Sequence, residues 1–489
     1  MLMAVGLLMA LGAAVLPASD FPFEPIGPEA RVHQYTGYAQ DDGWLDMDDA
    51  GHTVVTWTSL GDVYARLFDL DGTPRTSEFR VNQMTTGSQN FARTAYRADG
   101  GAIAIVWNDW AGLDGNLMGS YARLLDGDGH FLTPEFVVST NIDGSQFDPV
   151  VAMGLDGSFA VAWVDAGPRD GIAGITMRLF RADGTPASGE IRVNEPNSKS
   201  QVDPSIAIDR FGRIIVAYTD ASGRYGEPRD ILVRTFRADG TPLTGELRVN
   251  DNTPGLQRWP ILAVAGDGRF VVAWQDEGGL DGHGRGIFAR LFADPMTPAT
   301  GDLAIAESPY ADQVRPVVAC DFVGNFTVAW IDNGAGDQDI LVRRFDRTGL
   351  ALTPAVRVNT LTAGDQGSEC VAVNASGELV ACTFTHESDV WGRWFRSPLI
   401  EQIGPASPGA TVELALWLPG NDGLTYQVLA AFAASPGLRM PLGRHLDLNP
   451  DLLLSYSILF PSGPEFFAFR GTLNSAGQAV ATIRSPPIR

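Results

Sequence analysis

Stretches such as "SFAVAWVD" (158–165) and "RFVVAWQD" (269–276) are apolar at almost every position and end on an aspartate. Such runs, too short for a buried helix and closed by Asp-Gly turns, predict strands covered on both faces. Around the first of them stand three further strand-like segments, "PVVAMG", "ITMRLF" and "GEIRVN", joined by turns of the type "ADGTP" that suit tight hairpins. The local pattern is therefore a four-stranded antiparallel unit of about 50 residues, the size of a propeller blade.

The unit recurs. Trp57, Trp107, Trp163, Tyr218, Trp274, Trp330 and Thr383 occupy one position, spaced by 50, 56, 55, 56, 56 and 53 residues, which makes seven copies. An arginine follows in each, at Arg66, Arg123, Arg178, Arg234, Arg290, Arg343 and Arg393, and a unit ends near a glutamine, at Gln89, Gln146, Gln201, Gln257, Gln313 and Gln366, with Gln40 at the same place ahead of the first full unit. A stacked solenoid competes with a closed ring, and the ends of the array decide between them. Residues 29–40, "EARVHQYTGYAQ", match the end of a unit yet precede the first one, while the seventh unit stops after "VWGRWF" without a fourth strand. Pairing the N-terminal strand into the last unit removes both open sheet edges. The fold expected is all-β, a seven-bladed β-propeller over 19–399 closed by an N-terminal strand.

The repeats resemble those of secreted and surface proteins of environmental bacteria, written DGxFVVAWxD…IxxRxFxxDGTPxxGExxVN. The resemblance implies an architecture and an extracytoplasmic setting, and carries no catalytic residue with it.

Residues 400–489 break the period, with alternating runs such as "TVELALWL" and "FFAFRGTL" that predict a small β-sandwich. At the other end, residues 1–18 read as a signal peptide, although the segment lacks a basic start. A secreted or otherwise extracytoplasmic monomer is expected, with no integral membrane segment in the mature chain. The net charge of −23, with Lys199 the only lysine, argues against nucleic acid as a partner.

Standard catalytic signatures are missing, and the six histidines are scattered singly. The shared tryptophans and arginines read as packing between blades. The acidic loops carry the spacing W-x-D-x4-D, with Asp109 and Asp114, Asp165 and Asp170, Asp276 and Asp281, and Asp332 and Asp337. These pairs are turn formers or, alternatively, oxygen ligands for calcium, the candidate cofactor. Cys370 and Cys382, on the first two strands of unit seven, are a candidate disulfide.

Function on a propeller is expected where the ring symmetry breaks, at one mouth of the channel. Two residues after each unit-ending glutamine, counting Gln40 as the first, stand Asp42, Phe91, Asp148, Asp203, Trp259, Arg315 and Ser368, with Trp110 and Tyr225 in nearby loops. That mixed ring is the candidate ligand site, Trp259 foremost, for a glycan or protein ligand. A secreted binding scaffold is the favoured class; a polysaccharide hydrolase or lyase at the same mouth is the alternative.

Overall fold

The computed structural model describes residues 23–396 apart from short loop segments (113–114, 116–117, 168–171, 196–198, 226–227, 252–253, 283, 307–310 and 335–336), together with five strands beyond residue 400. The leader expected over 1–18 lies outside the described residues. Among those described, no helix is long and apolar enough to cross a membrane.

Seven small antiparallel sheets make up the propeller. Blade 3 is typical: Gln146–Met153, Phe159–Asp165, Gly174–Phe180 and Ile191–Arg192 pair in chain order from the channel outward. Blade 7 is built from both ends of the array, since Gln366–Val373, Leu379–His386 and Asp389–Arg396 are completed by Glu24–Pro25 and Ala30–Arg31. The expected closure is thus present: Ala30 pairs with Gly392, and the Val32 amide donates to the Val390 carbonyl at 3.0 Å.

The shared tryptophans are core. Trp57, Trp107, Trp163, Trp274 and Trp330 are each 1% exposed, on second strands wedged between neighbouring blades. The shared arginines join blade to blade. Nη1 of Arg66, Arg123, Arg178, Arg234, Arg290, Arg343 and Arg393 donates to the carbonyl of Val32, Val81, Val138, Val193, Val249, Ile305 and Val358 respectively, each on the preceding blade. In six of them Nε also donates to a carbonyl of the same blade, as from Arg66 to Thr76 at 3.0 Å. A buried guanidinium needs such partners, and here backbone carbonyls supply them.

The expected disulfide is overturned. Cys370 and Cys382 are both free, because Cys370 pairs with Thr383 and Cys382 with Val371. Between the turn and Cys370 the pairing is unbroken, from Val373 with Val380 to Cys370 with Thr383, so the register set by the 374–379 turn leaves the two thiols one residue apart and on opposite faces of the sheet; a bulge follows between Gly367 and Cys370.

Beyond the propeller, Glu401–Ile403, Thr411–Trp417 and Gln478–Arg484 form one antiparallel sheet, and Thr425–Ala431 and Phe466–Thr472 a second.

Candidate functional site: the channel mouth

The bulge in blade 7 is not a local accident. Register breaks at the same place in all seven first strands, between Asp41 and Trp44, Asn90 and Arg93, Phe147 and Val150, Val202 and Ser205, Arg258 and Ile261, Val314 and Val317, and Gly367 and Cys370. In six of the seven the bulged residue is left-handed without being glycine: Asp42 (φ 57°), Phe91 (51°), Asp148 (52°), Asp203 (55°), Trp259 (52°) and Arg315 (53°). For side chains this conformation is strained, and the surrounding structure must enforce it. Four of the six stand directly before a proline, Pro149, Pro204, Pro260 and Pro316, whose missing amide is harmless at a bulge on a channel-facing edge.

The amides released from the ladder find other acceptors. Phe91 N–H is taken by the Asp42 carboxylate and Trp259 N–H by Asp203, while Asn108 accepts from the Asp148 amide at 3.0 Å and Gln275 from the Arg315 amide at 3.1 Å. Four of the bulges are thereby held from the preceding blade. Asp42 and Asp203 consequently have a structural duty beside any other.

All six side chains line one cavity of about 900 Å³ in the channel, at the upper end of the size range for small-molecule sites. Phe91 is 39% exposed, Arg315 is exposed, and Trp259 is half-buried. The indole of Trp259 is held by the guanidinium groups of Arg258, 4.9 Å from its ring centre, and Arg315, at 5.9 Å. Ser368, the seventh member, has a side chain outside the described set.

Burial raises the carboxyls of Asp42, Asp148 and Asp203 above the ordinary range. Arg93 opposes the rise at Asp42 and at Asp148, whereas the neighbouring charge of Asp203 adds to it at Asp148. For Asp203 the hydroxyl of Thr219, donating at 2.9 Å, works in the opposite direction to burial. Deeper in the channel burial pushes Asp46 up to about 6, although it accepts the Tyr96 and Met47 amides at 2.7 and 2.8 Å.

Arg93 is the residue that sequence reasoning overlooked. It lies two beyond Phe91, where the other blades carry Trp44, Val150, Ser205, Ile261, Val317 and Cys370, and its guanidinium stacks on Trp44 with 4.1 Å to the ring centre. A lone charge in an otherwise mostly apolar column was the available signal.

The acidic loops do something else. The carboxylate two residues after the tryptophan accepts backbone amides of its own loop: Asp109 from Ala111 at 3.1 Å, Asp165 from Gly167 at 3.0 Å, Asp276 from Gly278 at 2.9 Å, and Asp332 from Gly334 at 2.9 Å. The unit-ending glutamine bonds to the same groups, as from Gln89 to Asp109 at 2.8 Å and from Gln257 to Asp276 at 2.7 Å. These are the hydrogen bonds of the turn-forming alternative. Asp114 and Asp170 lie outside the described residues, Asp281 is half-buried, and the exposed Asp337 accepts the Gly364 amide at 3.1 Å. Among the described residues, no three His, Cys, Asp or Glu side chains gather into a metal-binding group.

Around the mouth, Trp110 is 52% exposed and donates its Nε1 to Asn90 at 2.8 Å, beside Phe91. Tyr225 sits farther out between Arg224 and Arg248, whose guanidinium groups lie 5.6 and 4.9 Å from its ring centre.

No known family of proteins matches the chain, and no curated protein sequence matches it. Solved structures do. An ulvan lyase of polysaccharide lyase family PL25 aligns with a TM-score of 0.50 at 12% identity, covering 77% of this chain and 95% of its own. A protein of unknown function from Dyadobacter fermentans aligns at 0.47 with 10% identity, covering 78% and 100%, and the α-L-arabinofuranosidase Arb93A of Fusarium graminearum at 0.46 with 12%, covering 62% and 92%. At these identities the likeness is one of fold.

Proposed function

We propose that the chain is an exported glycan-binding β-propeller, with its ligand at the channel mouth. The observation that carries this reading is the ring of bulges. The bulge repeats in every blade and is left-handed in six, yet the side chains that those six aim into the cavity are of four kinds, aspartate, phenylalanine, tryptophan and arginine. Bulges that re-aim a side chain and residues held in strained conformations cluster at functional sites. The groups presented suit a sugar: aromatic surface for the apolar faces of the ring at Phe91 and Trp259, and carboxylates that accept hydroxyl hydrogen bonds at Asp42, Asp148 and Asp203. That an ulvan lyase, a polysaccharide-acting enzyme, shares the fold is in keeping with such a ligand.

A second reading, hydrolysis or elimination on a polysaccharide at the same mouth, is favoured by Asp148 and Asp203, which stand on adjacent blades with both carboxyls raised. A glycan array probed with the mature chain, with calcium and with chelator, tests the first reading. It predicts retention of a restricted set of glycans, weakened by Trp259→Asn, a residue that tolerates the left-handed backbone. No glycan retained under either condition contradicts it. Release of new chain ends from a retained glycan, abolished by Asp148→Asn, would move the account to the enzymatic reading.

A further inference from the structure

The mouth is asymmetric in a way that bears on the shape of its ligand. In blades 2 to 6 the connection between second and third strands runs from six to nine residues, as in 110–118, 277–285 and 333–338. In blades 1 and 7 it is a two-residue turn, Leu60-Gly61 and Glu387-Ser388, with all four residues at positive φ as tight hairpins require. The low side of the rim therefore lies at the seam between blades 7 and 1. Across the ring from it stand Asp148 and Asp203 on blades 3 and 4, flanked by Phe91 on blade 2 and Trp259 on blade 5.

The segment that crosses the low side, 34–39, carries Tyr35 and Tyr38, 52% and 54% exposed, with ring centres 5.9 Å apart. Its backbone is pinned: the Glu78 carboxylate accepts the Gln34 and Tyr35 amides at 2.5 and 3.2 Å, the Tyr35 carbonyl meets His33 Nδ1 at 2.7 Å, and the Tyr38 carbonyl accepts from Gln40 Nε2 at 2.7 Å. Two aromatic rings are thus presented to solvent on a pinned loop, at the seam where the connections between second and third strands are shortest. Tyr38 stands four residues before Asp42, which lines the cavity, and an exposed aromatic pair there suits an elongated, partly apolar ligand that reaches past the lining.

We infer that the mouth takes the end of an uncharged glycan chain, with the terminal sugar against Asp148 and Asp203 and the following units leaving over the low rim onto Tyr35 and Tyr38. This rests on the glycan reading above. The absence of charge follows from the lining of the cavity, in which seven aspartates stand against the three arginines Arg93, Arg210 and Arg315, an excess that would repel uronate or sulfate groups.

The test measures affinity by calorimetry for di- and hexasaccharides of the neutral glycan selected on the array, and for an oligouronate of six units, using the full chain and the double variant Tyr35→Ala/Tyr38→Ala. Both changes remove exposed rings while leaving the backbone bonds of the loop in place. The native chain is expected to bind the hexasaccharide about tenfold more tightly than the disaccharide and to bind the oligouronate more weakly than either. The double variant should bring the hexasaccharide down to the disaccharide level and leave the disaccharide unchanged. Equal affinity for both lengths, an unaffected hexasaccharide in the variant, or tighter binding of the oligouronate would overturn the inference with the glycan site itself intact. Failure of every saccharide to bind the native chain would instead remove the glycan reading on which it stands.

Discussion

The second strands and the first strands of the same seven blades follow opposite rules. On the second strands the same residue does the same thing almost every time: Trp57, Trp107, Trp163, Trp274 and Trp330 are buried between blades, and only Tyr218 and Thr383 depart from tryptophan. On the first strands the backbone is the constant and the side chain the variable, as with Asp42, Phe91, Asp148, Asp203, Trp259 and Arg315 on one left-handed bulge. Repetition of a side chain marks a packing requirement. Repetition of a costly backbone shape under changing side chains marks a display.

The largest expected effect comes from the closure on which both sets of strands depend. Deleting residues 23–33 removes Phe23 from Phe395, 5.8 Å away between ring centres, takes Val32 from the core, and withdraws the carbonyl that holds Arg66. Loss of a cooperative thermal transition is expected; an unchanged melting curve would mean that the ring closes by other contacts. Next in size is a single joint between blades. Arg290→Met leaves the carbonyls of Val249 and Thr300 without their donor, bonds of 2.7 and 2.9 Å, and should cost about 2–3 kcal/mol in denaturant titration.

A smaller effect separates the channel from the blade walls by pH. Asp46 has its carboxyl pushed from 3.8 to about 6, chiefly by burial. Between those values the folded chain keeps a proton that the unfolded chain has released. The contribution of Asp46 to stability therefore falls as pH rises through that window and is level above it. Asp46→Asn should remove this slope, so that variant minus native stability is more favourable at pH 7 than at pH 4; an equal difference at both would show that the carboxyl is not perturbed. Smallest of all is the response to calcium. Because Asp109, Asp165, Asp276 and Asp332 already accept loop amides and glutamine side chains, millimolar calcium is expected to leave the melting temperature where it is. A rise reversed by chelator would turn these loops into metal sites.

The repeat, the four strands per blade and the strand exchange between the chain ends were legible because each rests on local periodicity: apolar runs, Asp-Gly turns and a misplaced "EARVHQ". The mixed ring was legible as an alignment column. Its backbone was not, since left-handed aspartate, phenylalanine, tryptophan and arginine give no compositional sign, and the prolines that follow four of them suit several other contexts. Cys370 and Cys382 failed at the turn instead: a hairpin centred on Ser376 would set them opposite each other, whereas the centre lies between Ser376 and Gly377, which pairs Cys370 with Thr383 and puts the thiols on different faces. Arg93 was less legible because it stands two residues beyond that column, inside the strand, where a single charge in a mostly apolar column is its one sign.

Trp259 and Trp274 test the central claim most directly, since both are tryptophans of blade 5, one on the bulge and one in the wall. Each is replaced in turn, Trp259→Asn and Trp274→Ala, and denaturant stability is measured beside affinity for the glycan retained by the native chain. The account predicts that Trp259→Asn loses about 1.4 kcal/mol or more of binding, a tenfold change, at little cost in stability. Trp274→Ala should destabilise by about 3–5 kcal/mol while the fraction still folded binds as before. A Trp259→Asn chain that unfolds, or a folded Trp274→Ala chain that has lost its ligand, would contradict the division between wall and mouth.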